Sequence, residues 1–277
     1  MSFSPRSTFS SGLKPPAGTG RETPAAKNPL ISFRGIHKAF DGNVVLEGVD
    51  LDIFPGETQV ILGRSGSGKT VLTSMLVGLT RPDAGSIKVE GIEVTEFASD
   101  ADWRDLRLRT GYLFQGSALY DSMTVGENIA FPMEQHTDWS PAEIRGRVAE
   151  KLAQVDLAGI ESMEPAELSG GMQRRVALAR SLALDPEIII YDEPTAGLDP
   201  ITGDEISRLI LHLKAALKVT SIVVSHDLRL TELVADHIAL IYQGLWGFQG
   251  TFAEFLQSNH PEVLHFLHRE PQEETPK

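Results

Sequence analysis

Residues 63–70 read Gly63-Arg64-Ser65-Gly66-Ser67-Gly68-Lys69-Thr70, a run that fits G-x-x-x-x-G-K-[ST]. Such a loop does phosphate chemistry. Its glycines let backbone amides point inward at phosphate oxygens. A helix beginning near Gly68 adds a positive dipole end and free N–H groups. Lys69 can reach the β- and γ-phosphates as a point charge, and the Thr70 hydroxyl can ligate Mg2+. A second run, Glu187-Ile188-Ile189-Ile190-Tyr191-Asp192-Glu193, is apolar and ends in two acids. Asp192, at the end of that strand, is placed to hold Mg2+ through water, and Glu193 to orient or deprotonate an attacking water. Between the two lies Leu168-Ser169-Gly170-Gly171-Met172-Gln173-Arg174-Arg175. It sets a hydroxyl and two glycine amides at a helix start, a combination that favours an anion. Each segment also has a plainer reading: a glycine turn with a lysine, a strand before a solvated acidic turn, a Ser-capped helix. Their succession along one chain favours nucleotide chemistry.

These groups need elements to hold them. Residues 1–29 are rich in Ser, Pro, Gly and Thr and show no helical or strand period. They predict a disordered tail. The basic, acid-poor start is also transit-peptide-like, but no amphipathic arginine helix is visible. Ile31-Ser32-Phe33 and Val44–Ile53 alternate as two strands of an antiparallel piece. Thr58–Leu62 is a short apolar strand entering the glycine loop, and Val71–Leu79 continues beyond it as a helix. The turn Pro82-Asp83-Ala84-Gly85 leads to a strand at Ser86–Val89, a helix at Asp100–Leu108 and a strand at Tyr112–Phe114. Residues 116–165 are mostly helical, and with the Ser169 segment the insert extends to about 175. Ser140-Pro141-Ala142-Glu143 starts a helix by Ser cap, Pro at the first position and Glu in a capping box. Ile144, Val148, Leu152 and Val155 form its apolar stripe. Helix 171–183, strand 187–191, helix 204–217 and strand 221–224 follow. Strands alternating with helices imply the α/β class, a parallel sheet covered on both faces. Residues 258–277 predict one short helix near Pro261–His268 and a fraying end. No internal repeat is present.

Composition removes several function classes. The chain has 277 residues, 41% hydrophobic and 23% charged, ordinary values for a globular protein. No apolar run reaches the length of a membrane-spanning helix, so a membrane role requires a separate spanning chain. The net charge of −13 argues against nucleic-acid binding through bulk positive charge. With no cysteine there is no disulfide and no thiolate metal site.

The glycine loop, the Leu168–Arg175 octet and the Asp-Glu strand, in this order and spacing, resemble the ATP-binding cassette (ABC) ATPases over roughly residues 30–250. The resemblance implies an ABC-type P-loop NTPase with a RecA-like core, an antiparallel β subdomain and a helical insert, in one domain over 30–257. It implies ATP and Mg2+ as ligands. By the same resemblance, Ser169, Gly170 and Gly171 contact the γ-phosphate bound to an opposite subunit. Gln115 matches the glutamine that touches Mg2+ or its water and links the site to the insert. Asp199, within Ala196-Gly197-Leu198-Asp199-Pro200, matches a loop that packs across the dimer. His226 matches a histidine that donates to the γ-phosphate, and Phe40 stands where the family carries an adenine-stacking aromatic, most often Tyr. Tyr191 departs from the family's aliphatic residue there, with consequences for packing only.

Lys69 and Ser169 are separated by one compact domain's length, unlike the long insertions of DNA-repair ABC proteins, and one cassette is present where ABC translation factors have two. Transport is therefore the expected role. Leu113–Val125, Asn128–Pro132 and Glu134–Thr137 resemble the ATPase subunit of the MCE-associated, Mla-type transporters, which move phospholipid between inner and outer membranes. The N-terminal extension departs from that group. The resemblance implies a homodimer of cassettes at the cytoplasmic face of the inner membrane, peripheral to it. It further implies multi-span permease subunits docked on the insert, an MCE-type periplasmic chain and, as in some Mla systems, a small STAS-type partner. Leu119, Tyr120, Met123, Phe131 and Met133 are candidates either for a permease groove near Gln115–Tyr120 or for the insert's own core. Another small solute, or a non-transport ABC regulator such as a division-type complex, is the alternative.

Overall fold

The computed structural model describes residues 28–267. The expected N-terminal tail, apart from its last two residues, and the end from His268 onward lie outside them.

Alternating apolar residues begin the fold. Strand β1 (Ile31–Phe40) turns through Asp41 and Gly42, both at positive φ, into β2 (Asn43–Ile53). Two left-handed residues in a row match the twist of a tight hairpin. After β3 (Thr58–Leu62) and α1 (Lys69–Leu76), the chain returns as β4 (Ala84–Val89) and β5 (Ile92–Glu93). These make a four-stranded antiparallel sheet in the order β2-β1-β4-β5. Helix α2 (Asp100–Leu108) and strand β6 (Thr110–Leu113) come next. Then follow α3 (Val125–His136), α4 (Pro141–Gln154) and α5 (Gly170–Ser181). The chain continues as β7 (Ile188–Asp192), α6 (Pro200–Leu217), β8 (Thr220–Ser225) and α7 (Leu228–Val234). It finishes as β9 (His237–Tyr242), β10 (Leu245–Gly250), α8 (Phe252–Gln257) and α9 (Pro261–Phe266).

The second sheet has six strands, β10-β9-β3-β8-β7-β6, parallel except for β10 at one edge. Its central strands β3, β7 and β8 are buried along their whole length. That explains why they read as continuous apolar runs rather than alternating ones. Successive residues still face opposite ways. Leu62, Ile189, Tyr191 and Val223 join one core with Ile129, Leu152, Val176 and Ile206 of the helices. Ile61, Ile188, Ile190 and Val224 join the other with Leu72, Trp103 and the antiparallel sheet's Phe33. The parallel strands β3, β7 and β8 point their C-terminal ends the same way, so the loops after them emerge along one edge. In open α/β sheets this edge is where ligands bind.

Several elements differ from the sequence reading. Helix α1 stops at Leu76, and Leu79 is exposed. Gly78 takes φ 72, and a Cβ there would stand 2.5 Å from the Trp103 ring, so the indole and the turn end the helix together. Helix α6 starts four residues early, because Asp199 caps it and Pro200 opens it. Across 228–257, where no element was expected, lie α7, β9, β10 and α8. Met133 is fully buried, so it belongs to the insert's core rather than to a docking groove, whereas Leu119 is half-buried and packs against the same core. The expected stripe of α4 is buried, and Ser140 and Glu143 form the expected capping box.

The segment between β6 and α3 is held by Asn128, which is completely buried. Its amide nitrogen donates to the carbonyls of Tyr120, Met123 and Thr124, and its oxygen accepts from the Tyr120 N–H. Arg180 adds a bond to the Ser117 carbonyl. Ser117 and Ala118 are both left-handed, at φ 60 and 50. Such a backbone persists only when its surroundings over-determine it. Asn128→Ala should therefore lower stability by about 3 kcal/mol, since it strands buried partners. Urea unfolding checks this; a loss below the cost of an ordinary surface substitution would refute the anchoring role.

Candidate active site

The residues singled out by their chemistry converge at the edge of the six-stranded sheet. The glycine loop joins β3 to α1. Gly68 precedes the helix at φ 100, and a Cβ there would come within 2.9 Å of Val45. Gly63 begins the loop, where a Cβ would collide with Ser67 and stand 2.9 Å from the Ile241 carbonyl oxygen. The loop is thus compressed against its neighbours in a way side chains would prevent. Lys69 is buried, and its Nζ donates to the carbonyls of Gly63 at 2.8 Å and Arg64 at 3.1 Å. The Ser67 hydroxyl is buried with no partner among the described residues. Buried hydroxyls are normally satisfied. An anion seated in the loop would satisfy this one, so the loop fits a bound phosphate.

Glu193 follows directly at the end of β7. It is buried and left-handed at φ 48, with its N–H on the Val224 carbonyl at 2.9 Å. That backbone aims the carboxylate between an ammonium and an imidazole. Lys69 Nζ lies 3.4 Å from Oε1, and His226 Nδ1 lies 2.8 Å from Oε2. His226 itself is mostly exposed, extending from the end of β8. Asp227 behind it caps α7 and accepts from Thr195, which ties this loop to the one after Glu193.

Thr70 donates its hydroxyl to Asp192 Oδ1 at 3.0 Å. The Asp192 carboxyl is buried. Desolvation raises its pKa, and the neighbouring Glu193 adds to that; the Thr70 bond and the Lys69 charge act the other way. Two buried carboxylates therefore crowd a single ammonium. Hard oxygen donors with surplus negative charge are what Mg2+ selects, so Thr70 and Asp192 fit that ion. Tyr112, whose signal the sequence does not carry, stands beside them. Its hydroxyl lies 3.2 Å from Thr73 Oγ1, and burial pushes its pKa up to about 12, so it stays neutral.

Other expected residues lie apart. Ser169 caps α5, accepting from the Met172 N–H, and Gly170 and Gly171 open the helix. No hydrogen bond or ion pair among the described residues joins them to the glycine loop. Gly171 packs closely on Thr202 of α6, where a Cβ would lie 2.5 Å from its methyl group. Asp199 accepts from the N–H groups of Ile201 and Thr202. Arg174, also unforeseen, links these pieces: it donates to the Phe114 carbonyl at 2.9 Å and the Ala196 carbonyl at 3.2 Å. Gln115 is exposed next to Phe114. Phe40 is exposed at the end of β1, with Lys38 Nζ 5.0 Å from its ring centre.

A family model described as ABC transporter matches residues 46–196, which is more than half of the chain and includes the glycine loop, the Ser169 segment and Glu193. The chain belongs to the ABC transporter family. It is an ABC ATPase, the ATP-binding subunit of a transporter. It is 40% identical over 238 residues to the intermembrane phospholipid transport system ATP-binding protein MlaF of Haemophilus influenzae, covering 86% of this chain and 90% of that protein. It is also 40% identical over 237 residues to the probable ribonucleotide transport ATP-binding protein mkl of Mycobacterium leprae, covering 86% of this chain and 68% of that one. Among solved structures it resembles a dimeric ATP-binding cassette in a post-hydrolysis state bound to ADP and Pi. The TM-score is 0.73 at 30% identity, covering 80% of this chain and 98% of that one. The ABC fold is thus the one the sequence implied, with its antiparallel sheet beside a mostly parallel one. No helix of the described residues is long and apolar enough to cross a membrane.

The buried Asp192 charge has a measurable consequence. Its folded-state pKa is raised, so the ionised form opposes folding at neutral pH, and this opposition fades as pH falls through the raised value. Asp192→Asn should therefore raise the melting temperature of the nucleotide-free ABC subunit at pH 7 by about 2–4 °C, while abolishing the further rise that Mg2+ and ATP give the wild type. A thermal melt with and without MgATP checks both; a lower melting temperature without nucleotide would refute the electrostatic reading.

Proposed function

We propose that this subunit binds and hydrolyses ATP at a homodimer interface to drive phospholipid transport of the Mla type. The observation that carries the chemistry is the Glu193 carboxylate held between Lys69 and His226 at the edge of the sheet. Similarity over nine-tenths of the length of MlaF supports the cargo. The equal identity to mkl, whose name assigns ribonucleotide transport, makes another solute the second reading.

In this proposal the backbone amides from Gly63 to Thr70 wrap the phosphates, and Lys69 moves its charge from the loop carbonyls onto the β- and γ-oxygens. Phe40 stacks on adenine. Thr70 and Asp192, with Gln115 close after β6 in sequence, would hold Mg2+, which would supply neutralisation of the phosphate charge. Glu193 accepts a proton from the water that attacks the γ-phosphorus, as the bond to the β-phosphate oxygen breaks and ADP leaves. His226, whose Nδ1 lies 2.8 Å from Glu193, serves a γ-oxygen from the end of β8. Ser169, Gly170 and Gly171 are exposed or half-exposed and unattached to their own glycine loop, so they serve the γ-phosphate of a second copy. Asp199 lies on the same face of that dimer.

The segment 116–175 is proposed as the transmission surface. A cleft of about 900 Å³ lies beside it, lined by Tyr112, Phe114, Tyr120, Phe131 and Arg180 among others. It would receive a cytoplasmic segment of a multi-span permease, with the ATPase peripheral on the inner face of the membrane. An MCE-type periplasmic chain and a small STAS-type protein complete the proposed assembly.

Three outcomes are expected. Glu193→Gln should slow ATP hydrolysis at least about 100-fold and accumulate an ATP-bound dimer on gel filtration; unchanged turnover would remove Glu193 from the chemistry. Tyr120→Asp, at an exposed cleft position, should reduce co-purification of the permease and leave ATP affinity intact. Equal recovery of permease would remove the cleft as a docking site. Affinity purification of the chain from its native membranes should recover a permease, an MCE-type chain and phospholipid. A different permease without phospholipid would replace the lipid reading by the solute reading.

A further inference from the structure

Arg64 is the second residue of the glycine loop, and its side chain takes no part in the chemistry above. It leaves the loop and crosses to the far end of the described chain. Its Nε donates to Glu262 Oε1 at 2.6 Å, across 198 positions of sequence. The two partners differ sharply in setting. The Arg64 side chain is 57% exposed, whereas that of Glu262 is 6% exposed. A carboxylate so far removed from water needs a partner, and Arg64 is its one ion-pair partner among the described residues.

Glu262 cannot easily follow a moving loop, because α9 is seated in the core. Val263 is fully buried in the larger core cluster, Leu264 is buried, and Phe266 packs against the same cluster. His260 caps the helix, accepting from the Glu262 N–H, and its ring lies over Gly247 of β10, where a Cβ would come within 2.9 Å. The other side of Arg64 is equally committed. Its carbonyl accepts from Lys69 Nζ at 3.1 Å and from the Ser67 N–H at 3.1 Å. One residue is therefore fixed by its side chain to α9 and by its main chain to the lysine and the amide that meet the phosphate.

We propose that Glu262 is a positioning residue for ATP, bracing the glycine loop through Arg64 in the conformation that receives the phosphates. The C-terminal helix thereby belongs to the nucleotide site without touching the nucleotide. Preorganisation of this kind lowers the cost of binding rather than the barrier to reaction. Its loss should weaken ATP binding and leave the turnover of bound ATP nearly unaltered, which is the signature of uniform binding energy.

The test uses the full chain and ATP itself. Glu262→Ala should raise the Kd for ATP about tenfold, and Glu262→Gln, which keeps an acceptor but not the charge, about threefold. The kcat at saturating ATP should stay within about twofold. Arg64→Ala should shift Kd as Glu262→Ala does, and the double variant should show no further loss, because each single change already breaks the same bond. Circular dichroism and melting curves confirm that the variants compared are folded; if Glu262→Ala is not, the milder Glu262→Gln and the Arg64→Ala variant carry the comparison. An unchanged Kd in folded Glu262→Gln and Arg64→Ala, a fall in kcat with unchanged Kd, or additive effects in the double variant would overturn the brace. The inference rests on the glycine loop being the ATP site, and the wild type separates the two. Wild-type chain that binds no ATP would overturn that reading itself, whereas ATP binding by the wild type with no shift in the variants overturns the brace alone.

Discussion

A buried ammonium organises the centre of this molecule. Lys69 sits at the first turn of α1, inside the loop it belongs to, with two main-chain carbonyls and the Glu193 carboxylate around it. A lysine taken out of water at this cost must be surrounded by acceptors, and each acceptor fixes another part of the fold. The carbonyls hold the loop closed on itself. The carboxylate fixes the end of β7, and through His226 the end of β8. The sheet order, with β8 hydrogen-bonded between β3 and β7, is what brings these three strand ends within reach of one charge. A phosphate would give that charge a stronger partner, so the Lys69 contacts to Gly63, Arg64 and Glu193 are the ones ATP would rearrange.

The two faces of the six-stranded sheet divide the remaining labour. One face packs on α1, α2 and the antiparallel sheet, whose hairpin β1–β2 carries Phe40 and sets Val45 against Gly68. The other packs on α3 to α7, and the buried Asn128 there controls the chain between β6 and α3. Chemistry at the strand ends and surface presented by the helices are thereby parts of one packed body, joined through strands that have no exposed residue.

What the sequence made legible was local. The glycine loop, the paired acids after an apolar strand and the Ser140 capping box each depend on neighbours within a few residues. The pattern alone sufficed for them, as it did for α2, whose bounds are those read from the sequence. Boundaries slipped where tertiary packing intervened: the Trp103 ring over Gly78 shortened α1, and Asp199 with Pro200 lengthened α6. Strand β9 resembles β3 in composition, but it follows a seven-residue helix and lacks a motif to mark it. Side chains that bond distant main-chain atoms were invisible. Arg174 bonds carbonyls 60 and 22 positions away, and carbonyls leave no trace in a residue's identity. Tyr112 is neutral and hidden against Thr73, a matter of burial rather than of motif. Met133 shows the converse: an apolar residue in an insert reads equally as surface or core until its packing is seen.

Arg174 carries one more consequence. Its guanidinium grips the carbonyl before Gln115 with one nitrogen and the carbonyl of Ala196 with the other, while its own backbone is part of α5. Arg174 thus ties together three segments that Arg180 and the Gly171–Thr202 contact also hold. A displacement applied to either loop is delivered to the helix whose first turn bears Ser169, and a pull on that helix returns to both loops at once. The glutamine after one gripped carbonyl, the turn after Glu193 and the start of α5 are thereby held at fixed separations by one side chain.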